Sequence, residues 1–186
     1  MLSKAQSCRL LWDFAVPKSL STSQKWVLSA MQSYGDQLIT MLWRILGNEQ
    51  DVCDAYQDTF LHLAHYEMGI KPRNVKAYLF RSASNTAISI LRRRIIEKKN
   101  LLQIAAVQET PPPANDLDSA NLQQQLRASI TKLPDQLRDV VTLHDLAELP
   151  YAQVAKILEL TEGTARVYRY KAVQLLAVWM NKEKEE

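Results

Sequence analysis

The sequence predicts an all-α protein built from two small helical domains. Glycine is scarce, with 4 among 186 residues, and apolar and polar residues rarely alternate in the way that strands require. Alanine, leucine, glutamine, arginine and lysine are abundant, and these residues favour helices. A proline-rich stretch, ETPPPAND at 109–116, separates two blocks of helical periodicity and indicates a flexible linker. We therefore divide the chain into a lead at 1–22, a domain at 23–99, a linker at 100–120 and a domain at 121–186.

The composition excludes several classes of protein. Hydrophobic residues make up 47% of the chain, enough for a buried core, and the formal net charge of +3 is too small for a purely electrostatic nucleic-acid coat. The short apolar run near the N-terminus is neither a secretory signal nor a membrane span. Cys8 and Cys53 form no CxxC motif or metal-like group, which indicates reduced thiols in a cytoplasmic protein.

Apolar periodicity predicts four helices in the first domain. The first two are predicted at about 23–34 and 38–46, with Gly35 and Asp36 between them. A third is predicted at 49–67 and is followed by a loop at 68–74. Asn74 is then expected to cap a long helix that ends near residue 99.

The third predicted helix has an acidic face. Residues three and four apart lie on one side of a helix, which groups Asp54, Gln57, Asp58, Leu61 and His65. No lysine or arginine occurs between residues 51 and 68. A solvated acidic surface explains this pattern, and so does a docking surface for a basic partner. The apolar Leu61 among the acids slightly favours docking.

The following helix is basic. Residues 71–100 contain one acid, Glu97, and nine basic residues: Lys71, Arg73, Lys76, Arg81, Arg92, Arg93, Arg94, Lys98 and Lys99. The helix dipole favours basic residues at the C-terminal end, but it does not explain those at the N-terminal end. Tyr78 and Asn85 are interleaved with the arginines. Such a surface suits contact with phosphates and unstacked bases.

Residues 148–176 show the pattern of a helix-turn-helix. Apolar residues at Tyr151, Val154, Ala155 and Leu158 form one helical stripe, and Thr161 is a suitable N-cap for a second helix. On that second helix Arg166, Arg169, Tyr170 and Lys171 fall largely off the inward stripe. In this motif the second helix enters the DNA major groove by its N-terminal end. An ordinary helical hairpin with a solvated basic face is the alternative.

Together these segments resemble the extracytoplasmic-function (ECF) sigma factors, the small two-domain class of bacterial transcription initiation factors. LGNEQDVCDAYQDTFLHL resembles the family's polymerase-docking segment, and NVKAYLFRSASNTAISILRRR resembles its promoter-melting helix. LPDQLRDVVTLHDLAELPYAQVAKILELTEGTARVYRYKA resembles its reader of the upstream promoter element. The resemblance implies a region 2-like bundle, a flexible linker and a region 4-like helix-turn-helix domain.

The resemblance also implies three sets of binding residues, with no catalytic residue, metal or cofactor. Core RNA polymerase would be bound, through its β′ coiled coil, by Asp54, Gln57, Asp58 and Leu61; the β flap is a second implied polymerase contact. The downstream promoter element and the melted strand would contact Lys71, Arg73, Asn74, Tyr78, Arg81, Asn85, Arg92 and Arg93. The upstream element would contact Thr161, Glu162, Gly163, Thr164, Arg166, Arg169, Tyr170 and Lys171. An anti-sigma factor is expected as a further partner.

This sequence departs from the family pattern at several positions. Tyr78 stands where tryptophan is usual, and Ser84 and Ser89 replace a frequent arginine and aspartate. Glu159 occupies the turn position where glycine is common, and Tyr168-Arg169 replaces the usual Arg-Leu pair. The fold survives these changes, whereas the promoter preference does not follow from the resemblance.

Other functions account for parts of this sequence less well. A helix-turn-helix regulator that acts without polymerase would bind duplex DNA by itself. His62 and His65, with Glu67 nearby, superficially suggest a metal site, but the ligand set is incomplete and the HExxH spacing is absent. A helical adaptor is opposed by the Arg92–Arg94 run and by the helix-turn-helix pattern.

Overall fold

The computed structural model describes residues 25–65, 71–106 and 118–182, and within these ranges it contains helices and no strand. The predicted all-α class is confirmed. The helices are α1 (Lys25–Leu46), α2 (Glu49–His65), α3 (Val75–Ala106), α4 (Asp118–Lys132), α5 (Asp135–Val141), α6 (Tyr151–Leu158) and α7 (Glu162–Lys182), with a π-helical turn at Thr142–Leu146 after α5. We call α1–α3 the N-terminal unit and α4–α7 the C-terminal unit.

The first predicted pair of helices is in fact one helix. α1 runs through Gly35, which is buried, and a Cβ atom placed there would lie 2.8 Å from the Tyr56 hydroxyl oxygen. Gly35 therefore permits close packing of α2 on α1, and it does not break the helix. A glycine inside a helix costs about 1 kcal/mol relative to alanine, which the surrounding packing offsets. The true end is Gly47, which has a φ of +76° and donates its N–H to the Trp43 carbonyl oxygen at 2.9 Å.

Asparagine side chains begin the next two helices. The Asn48 Oδ1 atom accepts the backbone N–H of Asp51 at 2.9 Å, and the Asn74 Oδ1 atom accepts that of Ala77 at 3.0 Å. The predicted cap at Asn74 is thus confirmed. α2 is described as far as His65; its predicted end at Glu67 and the beginning of the predicted 68–74 loop, at 68–70, lie outside the described residues.

α3 is longer than its sequence pattern predicts. It extends past residue 99 to Ala106, and α4 already begins at Asp118, so both ends of the predicted 100–120 linker are helical. Just before the extension, the Lys98 Nζ atom donates to the Gln124 Oε1 atom of α4 at 3.0 Å, and Leu101 within the extension lines a groove together with Gln124 and Arg127. The remainder, 107–117, lies outside the described residues and includes the three prolines. The domain boundaries stay a prediction.

The expected reduced state of Cys53 is wrong. Cys53 is half-buried on α2 and forms a disulfide bond. Cys8, the other cysteine of the chain, lies outside the described residues.

Large apolar side chains hold each unit together. In the N-terminal unit Leu38, Met41, Leu42, Ile45, Phe60, Leu63, Leu79 and Phe80 are fully buried. In the C-terminal unit Val140, Leu143, Val154, Ala165 and Ala172 have no more than 1% of their surface exposed. The turn between α6 and α7 contains Glu159 in a left-handed conformation, with φ +57°, which explains why glycine is common at this position.

The two units pack against each other. At the end of α1 the Arg44 guanidinium donates to the Leu146 carbonyl oxygen at 2.9 Å and to the Glu148 carboxylate at 2.6 Å. On α3 the Lys76 Nζ atom donates to the Gln153 Oε1 atom of α6 at 2.6 Å. Buried residues of both units form one continuous apolar cluster. In this conformation the units are docked, although the sequence predicts a flexible connection between them.

Candidate functional site

The acidic face of α2 is open to solvent. Asp54, Asp58 and Leu61 are exposed, with 46% of Leu61 accessible, and Gln57 is half-buried. Asp51, one turn earlier, is withdrawn from this face because it is buried and pairs with Arg94 of α3 at 2.5 Å. The accessible acidic surface is therefore formed by Asp54 and Asp58. We call Asp54, Gln57, Asp58 and Leu61 the acidic face.

A shallow groove separates this face from α3. Asp54, Gln57, Asp58 and His62 form one wall, and Ser82, Asn85, Ser89 and Arg93 are among the residues of the other. The acidic and basic surfaces thus lie side by side. Neither surface is buried, so a different macromolecule can contact each of them.

The residues predicted to bind the downstream element gather around a second groove. It has a volume of about 870 Å³ and is lined on the α3 side by Pro72, Arg73, Asn74, Ala77, Tyr78, Arg81, Ser82 and Asn85. Tyr78 is half-buried, whereas Arg73, Arg81 and Asn85 are exposed. Lys71, Arg92 and Arg93 are also exposed but do not line this groove. The other wall comes from Lys156, Ile157 and Glu159 of the C-terminal unit.

Two basic residues of α3 already have partners in the C-terminal unit. Lys76 donates to Gln153 and lies 5.8 and 5.5 Å from the ring centres of Tyr34 and Phe80. Burial lowers the pKa of Lys76 below its usual range. Arg92 donates to the Thr131 carbonyl oxygen at 3.1 Å. Neither contact could be found from the sequence, because the partners are 77 and 39 residues away.

Asp139 is a further residue that the sequence pattern did not indicate. It lies on α5, and it lines a narrow space of about 10 Å³ together with Arg81, Ser84, Asn85, Leu143 and Leu158. Burial raises the pKa of its carboxyl group, while the charges of Arg138 and Arg81 oppose that rise.

We expect Asp139→Asn to stabilise the protein at neutral pH. A carboxyl group whose pKa is raised by folding contributes stability below its unfolded pKa of about 3.9 and loses it as the pH rises through the folded pKa. Asparagine has no carboxyl group to ionise, so the variant does not lose this stability as the pH rises. Thermal unfolding measured from about pH 3 to about pH 7 should show the melting temperatures of the wild type and the variant converging at low pH. A variant that is less stable than the wild type at about pH 7 would contradict a raised Asp139 pKa.

The turn before α7 is built by Thr161. Its Oγ1 atom accepts the backbone N–H of Thr164 at 3.1 Å and lies 2.9 Å from the Thr164 hydroxyl oxygen. The predicted N-cap is confirmed. Glu162 and Gly163 follow as exposed residues of the first turn, and a Cβ atom on Gly163 would meet nothing closer than 3.8 Å.

Removing this cap should cost measurable stability. Thr161→Ala leaves the Thr164 N–H without its side-chain acceptor, and losses of about 1 kcal/mol are typical for such caps. Urea unfolding followed by circular dichroism measures the effect. Thr40→Ala is a suitable control, because the Thr40 hydroxyl only bonds the Asp36 carbonyl oxygen inside α1; an equal loss in both variants would exclude a specific capping role.

The polar residues of α7 differ in what they can contact. Arg169 forms a bidentate ion pair with Asp145 of the π-helical turn, with N–O distances of 2.7, 2.9 and 3.0 Å. This hydrogen bonding raises the pKa of Arg169. Its guanidinium braces α7 within the protein, so a DNA contact by Arg169 would have to compete with Asp145. Tyr170 and Lys171 are exposed, with 66% of Tyr170 accessible.

Arg166 is exposed, and its guanidinium packs against an aromatic ring. Its guanidinium carbon lies 4.4 Å from the centre of the Tyr151 ring, a distance typical of a cation–π contact. Tyr151 in turn stacks on His144 at 3.9 Å between ring centres. Glu162 approaches Arg166 at 3.9 Å. The stacked rings of Tyr151 and His144 therefore form a platform that positions the Arg166 side chain near the N-terminal end of α7.

His62 and His65 lie on α2, and Glu67, the third residue of the considered metal set, lies outside the described residues. Among the described residues no three histidine, cysteine, aspartate or glutamate side chains converge on one point. The His65 ring contacts the Leu61 carbonyl oxygen at 2.7 Å through Nδ1. No helix in the described part of the chain is long and apolar enough to cross a membrane.

Comparison with known proteins identifies both halves of the chain. Residues 30–95 match the family model "Sigma-70 region 2", and residues 123–176 match "Sigma-70, region 4". The region 2 match includes the acidic face of α2 and the basic residues of α3 as far as Arg94, and the region 4 match includes the helix-turn-helix. The two matched segments define a sigma factor of the sigma-70 type.

Relatives of this chain include several ECF RNA polymerase sigma factors. The ECF sigma-E factor of Escherichia coli strain K12 is 32% identical over 135 residues, which are 66% of this chain and 70% of that protein. SigW of Bacillus subtilis is 23% identical and covers 77% of this chain and 82% of its own length. SigE of Mycolicibacterium smegmatis is 25% identical and covers 84% of this chain, which spans only 62% of that longer protein. The chain belongs to the ECF RNA polymerase sigma factors, which direct core polymerase to specific promoters and initiate transcription there.

A solved structure has the same fold. The structure of CnrH in complex with the cytosolic domain of CnrY matches with a TM-score of 0.52 and 18% identity, over 96% of this chain and 95% of that chain.

Proposed function

We propose that this sigma factor uses three surfaces in sequence: the acidic face for core polymerase, the basic face of α3 for the melted strand, and α7 for duplex DNA. The observation that carries the proposal is the exposure of oppositely charged surfaces on consecutive helices. Asp54 and Asp58 are exposed on α2, and Arg73, Arg81 and Arg93 are exposed on or just before α3. The protein contributes binding and positioning, and the polymerase carries out the chemistry.

The acidic face suits a basic coiled coil of the polymerase β′ subunit. Complementary charge accelerates encounter and fixes register, and Leu61 adds an exposed apolar contact in the same stripe. Because Asp51 is already paired with Arg94, the partner's basic residues would meet Asp54 and Asp58. The polymerase β flap is proposed as a second contact, on the C-terminal unit.

The groove beside Tyr78 suits an unpaired base. A flipped base needs a flat surface for stacking and hydrogen-bonding groups at its edge. Tyr78 offers a half-buried ring, and the Asn85 amide and Arg73 guanidinium are exposed in the same groove. Lys71, Arg81, Arg92 and Arg93 would hold the displaced strand by its phosphates. The Asn74 Oδ1 atom already accepts one hydrogen bond as the helix cap, and its NH₂ group is the donor that it can offer to DNA.

α7 suits the major groove of the upstream element. Arg166 on its Tyr151 platform is the residue best placed for a guanine contact, because arginine pairs with the O6 and N7 atoms of that base. Thr164 and the backbone N–H groups of the first turn, with Thr161, Glu162 and Gly163, would anchor a phosphate. Tyr170 and Lys171 would follow along the groove wall.

An anti-sigma factor that holds the protein inactive in the cytoplasm is a further proposed partner. The similar CnrH structure contains the cytosolic domain of another protein, CnrY, so a chain of this fold can be held by a partner. α7 also has exposed apolar residues, Val167, Val173 and Val178, which a partner helix can cover.

Run-off transcription with purified core polymerase and a pool of genomic fragments tests the proposed function. We expect discrete transcripts from a subset of fragments only when the protein is added. A helix-turn-helix regulator acting without polymerase would instead bind duplex fragments by itself and add no transcripts to those of core polymerase. Recovery of the transcribed fragments also identifies the promoter.

A further inference from the structure

Cys53 lies at the edge of the acidic face. It directly precedes Asp54 on α2, and it shares a side of the helix with Gln57, four residues onward. The Cys53 side chain is half-buried, packs against the apolar core and is engaged in a disulfide bond. A covalent link is therefore attached at the rim of the surface that should dock on core polymerase.

The sequence offers one partner for this bond. The chain contains 2 cysteines, Cys8 and Cys53, so a disulfide within one chain joins α2 to the N-terminal lead at 1–22. RNA polymerase works inside the bacterial cell, where thiols are kept reduced. Disulfides that form in such a compartment are usually transient and serve in catalysis or in redox sensing.

We propose that the Cys8–Cys53 disulfide is a reversible redox switch, which ties the lead to the acidic face when oxidised and frees that face for core polymerase when reduced. This inference rests on the proposed docking role of Asp54 and Asp58. The occupant of the acidic face in the oxidised protein is thus a segment of the same chain.

The charge of the lead is opposite to that of the acidic face. The lead contains one acid, Asp13, and three basic residues: Lys4, Arg9 and Lys18. Arg9 directly follows Cys8, and Asp54 directly follows Cys53. The disulfide therefore brings a guanidinium group close to a carboxylate that is open to solvent. A basic partner that docks on this carboxylate must then displace the arginine.

The length of the connecting chain permits this contact. α1 begins at Lys25, 17 residues after Cys8, and an extended chain of that length spans up to about 56–61 Å. α2, with 17 residues, is only about 26 Å long. The connection to α1 therefore does not keep Cys8 away from any part of α2.

Breaking the disulfide weakens the competition by the lead. In the oxidised protein the cross-link holds Arg9 one residue away from the bonded Cys8, whereas in the reduced protein Arg9 is held only through the chain to Lys25, 16 positions onward. Effective concentration falls roughly as the −3/2 power of the length of a flexible link. This difference in length lowers the effective concentration of Arg9 at the acidic face on the order of tenfold.

The redox steps need one oxidant and one reductant. Hydrogen peroxide takes two electrons and two protons from the two thiols, so that the S–S bond forms and two water molecules are produced. A dithiol reductant reverses the step when its thiolate attacks one sulfur atom and breaks the S–S bond. The first cysteine leaves as a thiolate and takes up a proton. The second thiol of the reductant then displaces the second cysteine and closes the disulfide of the reductant.

Polymerase affinity in the two redox states tests the switch. Full-length protein is treated with hydrogen peroxide or with dithiothreitol, freed of the reagent, and bound to immobilised core polymerase. We expect the reduced protein to bind roughly tenfold more tightly, in line with the change in effective concentration. Cys8→Ser is the control, because it cannot form the disulfide and leaves α2 unaltered; it should bind like the reduced wild type after either treatment.

Peptide mapping identifies the bond itself. Proteolysis of the peroxide-treated protein without reductant, followed by mass spectrometry, should yield two peptides joined through Cys8 and Cys53. A Cys53–Cys53 link between two chains would overturn the proposal, and so would the absence of a disulfide.

Arg9→Ala tests the contribution of charge while the disulfide is kept. The oxidised variant should recover most of the affinity of the reduced protein for core polymerase. Lys18→Ala removes the same charge ten positions from Cys8, and its oxidised form should bind as weakly as the oxidised wild type. Equal affinities of the two oxidised variants would overturn the contact between Arg9 and the acidic face.

The affinities also separate this inference from the proposed function. Tight binding of core polymerase by both redox states of the wild type would overturn the redox switch and leave the docking role of the acidic face in place. Weak binding by both states, and by Cys8→Ser, would overturn the docking role and the switch together.

Discussion

Reversal of Asp54 and Asp58 to lysine is expected to abolish co-purification of the protein with core RNA polymerase. Both carboxylates are exposed, so the change should leave the fold intact while placing like charges against a basic surface. Close charge pairs across an interface contribute about 1.5–7 kcal/mol each, so we expect affinity to fall by at least roughly a hundredfold. Pull-down with tagged core polymerase measures the loss.

The control must carry the same change of net charge. Glu49→Lys combined with Glu159→Lys also reverses two exposed acids, outside the acidic face, and it should retain most of the binding. Helical circular-dichroism spectra of both double variants should match the wild type. Equal losses of polymerase binding in the two double variants would mean that the change in net charge causes the effect. Undiminished binding by the Asp54 and Asp58 variant would contradict the proposal that the acidic face docks on polymerase.

The acidic face could be predicted because it depends on one helix alone. Asp54, Asp58 and Leu61 are spaced so that any helix places them on one side, and the absence of nearby lysine and arginine is visible in the sequence. The caps at Asn74 and Thr161 are equally local, since each accepts an N–H three residues onward. Patterns that need only a few consecutive residues were therefore predicted correctly.

Features that depend on distant partners were not predicted. The local sequence around Gly35 predicts a break, because the packing of Tyr56 against Gly35 is invisible in it. The pairing of Arg169 with Asp145 is likewise invisible in the local sequence, because Asp145 lies 24 residues earlier in a π-helical turn. The length of α3 and the contacts of Lys76 depend on the C-terminal unit, whose docking leaves no periodic signal in the sequence.

Replacement of Arg166 by alanine is the second change with a large expected effect. It should weaken transcription from promoters that carry the upstream element by about 1–3 kcal/mol, or roughly 5- to 150-fold, if Arg166 contacts a guanine edge. Lys171→Ala should have a smaller effect and reduce the salt slope of binding by about 1, as expected for a phosphate contact. Run-off yields at several salt concentrations separate the two cases.

Arg169→Ala distinguishes a DNA contact from a structural role on the same helix. Because Arg169 is bound to Asp145, its loss should lower stability by about as much as Asp145→Ala does, and the double variant should be scarcely less stable than either single one. Arg166→Ala should instead lower promoter activity with little change in thermal stability. If Arg166→Ala reduced transcription equally from a promoter lacking the upstream element, α7 would not read that element through Arg166, because an effect independent of the element cannot come from contact with its bases.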